Sequence, residues 1–110
     1  MGEQGWTKER RVDDVFAEQV LSLVERIPPG KVLSYGVIAE FLGAGGPRQV
    51  GRVMALEGGG VPWWRVVRAD GSLTAAHGVG AQEHYVDEGT PMRSRGSAVD
   101  MPAALWDFSA

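Results

Sequence analysis

Cysteine is missing altogether from the 110 residues, which excludes disulfides, thiolate metal sites and a cysteine nucleophile while leaving the redox compartment open. Histidine is almost missing too. His77 and His84 stand across a glycine-rich turn, and since a metal centre needs several converging donors, no metal is expected. Positive charge is not in excess: 11 Lys and Arg against 14 Asp and Glu give a net charge of −3. That balance opposes indiscriminate binding to a phosphate backbone unless a local basic face overrides it. No stretch approaches the roughly 18 consecutive apolar residues of a membrane span, and Met1-Gly2-Glu3-Gln4-Gly5-Trp6 carries no apolar secretory core. A soluble, cytoplasmic protein with no membrane partner is expected.

Common catalytic signatures are absent as well. Ser22, Ser34 and Ser72 lack a nucleophile-elbow context, so capping or surface hydroxyls suit them better than a triad. Gly58-Gly59-Gly60 lacks the lysine and hydroxyl residue of a phosphate-binding loop and reads as a hinge or loop.

What is present suffices for one core, with 44% hydrophobic residues, and for many tight turns, with 16 Gly and 6 Pro. From Arg11 to Ile27 the residues Val12, Val15, Phe16, Val20, Leu23, Val24 and Ile27 recur at three- and four-residue steps, the pattern of an amphipathic helix. Pro28-Pro29-Gly30 stops it, and an extended link of Lys31-Val32-Leu33 leads to Ser34, a good N-cap. A second helix follows with Tyr35, Ile38, Ala39 and Leu42 on one face and Gly43 placed to end it. Pro47 fits the first position of a third helix running to about Glu57.

The second and third helices make a helix-turn-helix candidate. On the third, Val50, Val53 and Met54 point one way, whereas Arg48, Gly51, Arg52 and Ala55 point the other. Two arginines around a bare glycine can approach a phosphate backbone closely; a solvated basic face fits the spacing equally well. Asp70-Gly71 between two short runs signals a β-hairpin. Ala81 to Asp87 can form a brief helix ended by Glu88-Gly89. The expected organisation is a tail at 1–10, a domain at 11–89, and a C-terminal tail at 90–110 docked by Leu105, Trp106 and Phe108. The fold class expected is mainly α: a helix-turn-helix, winged-helix-like domain with a short β-hairpin.

Ser34-Tyr35-Gly36, Pro47-Arg48-Gln49-Val50-Gly51, Pro62-Trp63-Trp64-Arg65-Val66-Val67 and Ala69-Asp70-Gly71, in this order and spacing, resemble the C-terminal DNA-binding domain of the O6-alkylguanine-DNA alkyltransferases. The similarity runs from about Phe16 through Gly89. In that family the Pro-Cys-His-Arg-Val signature holds the alkyl-accepting cysteine; here Trp63 stands in its place, as in the alkyltransferase-like proteins that keep the scaffold without the acceptor. The resemblance implies that Tyr35 presses on the target phosphate and that Arg48 enters the base stack in place of the extruded nucleotide. It further implies that Gly51 permits a close helix-to-groove approach, with Arg52 contacting the backbone beside it. Arg65 and Arg68 are further candidates for backbone attraction. The implied lesion pocket comprises Tyr35, Trp63, Trp64, Arg65, Val66 and Glu88, the last matching a relay glutamate of the repair enzymes, with a structural role as its alternative.

Departures from the repair enzymes bear on activity. An indole carbon is a poor acceptor of an alkyl group, so no transfer and no catalytic residue are expected, and Trp64 in place of histidine breaks the proton relay again. The pocket wall after the expected hairpin reads Thr74-Ala75-Ala76-His77-Gly78-Val79-Gly80, without the usual tyrosine and hydroxyl. Trp63 and Trp64 are the candidates for flat contacts to a turned-out base. The resemblance thus implies a monomer without cofactors that binds double-stranded DNA containing O6-alkylguanine, flips the nucleotide, and flags it to nucleotide excision repair proteins. Two alternatives stay open. One is a helix-turn-helix transcription regulator reading undamaged sequence. The other is an alkyl-base hydrolase using Glu88 or His77.

Overall fold

The structure, a computed structural model, describes residues 12–73, 80–94 and 98–109. Helix α1 spans Val12–Arg26, strand β1 Leu33–Ser34, helix α2 Tyr35–Leu42 and helix α3 Pro47–Glu57. Two 3-10 turns, Gly58–Gly60 and Trp63–Arg65, lead into strand β2 at Val66–Val67. Helix α4 covers Ala81–Glu88, and a single helical turn, α5, covers Met101–Ala104.

The caps are those that the residue types require. Ser34 Oγ accepts from the Val37 N–H at 3.1 Å, meeting one of the donors a helix start leaves over. Gly43 closes α2 at φ 69°, a left-handed conformation that suits residues without a Cβ, and its N–H bonds back to Ala39 and Glu40. Pro47 takes the first turn of α3, where its missing N–H costs nothing. Val20, Leu23 and Val24 on α1, and Ile27 just past its end, are buried as the pattern predicts, but Val15 is 41% exposed. At about 100° per residue, five positions put Val15 roughly 140° away from Val20 around the helix, and so off the core face.

Helices α1 to α3 enclose one core, joined by Val66 and by Trp106 from the C-terminal segment. A second, smaller core gathers Val32, Val67, Ala81, Tyr85, Val99 and Ala104. Trp63 packs against both, so the residue in the acceptor position sits at the seam between them.

The expected hairpin is seen as far as its turn. A tight turn does form at Asp70-Gly71, closed by bonds from the Arg68 N–H to the Ser72 carbonyl and from the Gly71 N–H to the Arg68 carbonyl, both 2.8 Å. Yet the strand before it pairs in parallel with β1, Leu33 opposite Val66 and Ser34 opposite Val67. A strand returning from the turn would fall at 74–79, outside the described residues. Asp-Gly chemistry dictates the local reversal, and the two valines before it bury themselves beside Leu33, across the core. On its other side the same ribbon is bridged at Val32 by Leu105, through bonds from Val32 N–H to Ala104 and from Trp106 N–H to Val32. The glycine triplet, expected as a hinge or loop, forms a 3-10 turn with Gly58 buried against Met54.

Candidate nucleic-acid interface

The arginine face of α3 is displayed as the wheel predicts: Arg48 and Arg52 are exposed, while Val50, Val53 and Met54 are buried. Beneath that face lies Tyr35, at the first position of α2 and only 8% exposed. A Cβ built on Gly51 would stand 3.9 Å from Cδ1 and Cε1 of the Tyr35 ring, an ordinary van der Waals distance, and the Gly51 backbone is not left-handed. Packing therefore does not demand a glycine there. Since a mid-helix glycine costs about 1 kcal/mol relative to alanine, the bare position is unfavourable for folding yet keeps the surface between the two arginines low.

The second group of predicted residues converges on a carboxylate. Glu88, at the end of α4, accepts from the Trp64 indole N–H at 2.8 Å, from Arg65 Nε at 3.0 Å and Nη2 at 2.5 Å, and from the Gly30 backbone N–H at 3.0 Å. Arg65 Nη1 reaches on to the Ile27 carbonyl at 2.8 Å. The side chains of Arg65 and Glu88 are only 13% and 12% exposed, and this two-pronged geometry is the strong form of such a pair. Gly30 brings its N–H to the carboxylate at φ 87°, where a Cβ would come 3.1 Å from the Glu88 carbonyl oxygen, so a residue with a side chain fits this bend poorly. Burial alone would raise the Glu88 carboxyl. The hydrogen bonds from Arg65, Gly30 and Trp64 outweigh it and hold the group below its ordinary 4.5.

Around Trp64 stands a cluster that the sequence reading only partly anticipates. His84 stacks on the Trp64 indole with centroids 3.5 Å apart and planes 6° from parallel, and the Arg65 guanidinium lies over the same ring at 5.4 Å. Trp63 is almost perpendicular to both, 5.5 Å from Trp64 and 5.7 Å from His84. The Tyr85 hydroxyl donates to the Trp64 carbonyl at 2.8 Å, and its burial pushes the phenol well above the usual range.

His84 and Tyr85 were thus missed as site residues. Their signal was the four-residue spacing of His84 and Glu88, which on a helix puts both on one face. Val66 is 1% exposed and lies in the core, so its side chain is not open to a ligand. Arg65 is bound inward and Arg68 is exposed. The pocket-wall stretch through Val79, His77 included, lies outside the described residues. Among the described residues, no three metal-ligating side chains come together, and no helix is long and apolar enough to cross a membrane.

Comparison with known proteins agrees with this scaffold. Residues 15–88 match the family model described as 6-O-methylguanine DNA methyltransferase, DNA binding domain. A DNA base-flipping protein of Escherichia coli is 34% identical over 103 residues, 87% of this chain and 78% of that one. A DNA base-flipping protein of Vibrio parahaemolyticus is 38% identical over 64 residues, 56% of this chain and 64% of that one. Among solved structures, S. pombe Atl1 in complex with damaged DNA containing O6-carboxymethylguanine superposes with a TM-score of 0.70 at 30% identity, covering 84% of this chain and 95% of that one. With residues 15–88 matching the family model, a relative 34% identical over most of both chains, and no cysteine to accept an alkyl group, the chain belongs to the methylguanine-DNA methyltransferase DNA-binding family, as one of its alkyltransferase-like members.

Proposed function

We propose that this protein binds double-stranded DNA carrying O6-alkylguanine, turns the damaged nucleotide out of the helix, and holds it against Trp63 without transferring the alkyl group. The observation that carries the reading is Gly51, a glycine that packing does not require, set between exposed Arg48 and Arg52 on the helix that would face DNA. The relatives support it: proteins named for base flipping and a structural neighbour bound to damaged DNA share the scaffold. Arg48 fills the space left in the stack, Arg52 contacts the phosphate backbone, and Tyr35, close under Gly51, borders the turned-out nucleotide.

Flipping costs a few kcal/mol, and less for a lesion that pairs poorly. Stacking on an aromatic surface returns about 1–3 kcal/mol per base, and each buried alkyl carbon adds about 0.8 kcal/mol. Weaker pairing and burial of the alkyl group both favour the modified base. The bent complex then flags the lesion for nucleotide excision repair, with the protein acting as a cytoplasmic monomer. The hydrolase alternative is disfavoured because Glu88, one of its two candidate bases, is engaged by three donor groups and held as a carboxylate.

The test is a titration of a duplex containing one O6-methylguanine against its unmodified twin. Tighter binding to the lesion is expected; equal affinities overturn the reading, and preference for a particular undamaged sequence supports a regulator instead.

A further inference from the structure

Trp63 and Trp64 are adjacent in sequence and both were expected to offer flat surfaces to a base, yet their surroundings differ. Trp64 is engaged at one ring face, at its indole N–H and at its carbonyl. One face of its ring carries His84 at 3.5 Å, and the Arg65 guanidinium lies over the ring. Its N–H is donated to Glu88 at 2.8 Å, and its carbonyl accepts from Tyr85 at 2.8 Å. A base could take the face that His84 covers only by displacing His84, and moving Arg65 off the ring would strip Glu88 of its counter-charge. Trp63 lies elsewhere. Its centroid is nearly equidistant from two rings that are themselves only 3.5 Å apart. It therefore stands beside the stacked pair, not on top of it, with its plane turned about a right angle to both.

We infer that Trp64 is a positioning residue and not a wall of the base site: His84 and Trp64 form a stacked buttress, anchored by Glu88, that sets the orientation in which Trp63 meets the turned-out base. Such support has physical value because an aromatic surface that must first be ordered gives up part of its stacking gain to lost freedom. The inference rests on the reading that Trp63 contacts the base.

The test compares the wild type, His84→Ala and His84→Phe. For each, three quantities are measured: affinity for the O6-methylguanine duplex, affinity for its unmodified twin, and melting temperature. His84→Ala is expected to lower the ratio of the two affinities by about two- to tenfold, the range that one aromatic pair contributes, while affinity for the unmodified duplex holds. His84→Phe, which keeps a flat ring on Trp64, is expected to restore the ratio. A rise in lesion affinity for His84→Ala overturns the inference, because it would mean that the base competes for the face His84 covers. So does an unchanged ratio, or a parallel fall for both duplexes with a lowered melting temperature. A wild type that binds both duplexes equally removes the base site itself and the buttress with it. A discriminating wild type with an unaffected alanine variant removes the buttress alone.

Discussion

Arginine is put to opposite uses in the two halves of the site. On α3, Arg48 and Arg52 extend from an exposed face. Behind Trp64, Arg65 is turned inward, paired with Glu88 and bonded to the end of α1. An exposed guanidinium adds little to folding but leaves its charge available to a phosphate, whereas a buried pair fixes geometry and offers little attraction at a distance. The difference teaches that a chain of net charge −3 need not be basic overall to approach DNA, provided that one face gathers exposed arginines with no acidic residue between them.

The comparison can be broken most readily at Glu88. Replacing Glu88 with Ala strands Arg65 in a site only 13% exposed and is expected to cost about 3–5 kcal/mol in urea unfolding; a loss under 1 kcal/mol would show that the pair is not structural. The same carboxylate sets a pH dependence. Its folded pKa lies below 4.5, so its contribution is complete above that value and is lost as pH falls through the folded pKa, a slope that Glu88→Gln should flatten.

The outward half should respond in binding and not in folding. Arg48→Ala is expected to reduce preference for the lesion about tenfold, equivalent to about 1.4 kcal/mol. Arg52→Ala should reduce the salt slope for undamaged DNA by about one. Neither should shift stability beyond about 0.5 kcal/mol, and a larger shift would place these side chains in the fold. The smallest effect is expected at Gly51→Ala, which should raise stability by up to about 1 kcal/mol while weakening binding to DNA. Unchanged affinity would show that the bare position has no part in the approach.

Local chemistry made much of this legible in advance. Ser34, Gly43, Pro47 and Gly89 bound their helices because each satisfies or omits a particular backbone group, and such requirements act within a few residues. The arginine face followed from helical spacing alone. What sequence could not reveal were partners chosen across the chain. Val66–Val67 pairs in parallel with Leu33–Ser34, a neighbour that the Asp70-Gly71 turn signal does not indicate. Trp64 and His84 meet across twenty residues, and nothing in the Pro-Trp-Trp-Arg motif indicates which face of which indole will be covered. Likewise, the sequence leaves Glu88 open between relay and scaffold, because the three donor groups it accepts from come from Gly30, Trp64 and Arg65, far from it in the chain.

The ribbon at Val32 to Ser34 has one further consequence, for synthesis. It is flanked by Val66–Val67 on one side and by Leu105 on the other, so its hydrogen-bonding groups find their partners only after long stretches of chain have been made. As the nascent polypeptide leaves the ribosome, the first three helices can collapse together early, but the strand feeding Ser34 and Tyr35 stays open on its outer edge until residue 105 emerges. The N-terminal end of α2 is thus among the last parts of the molecule to become rigid.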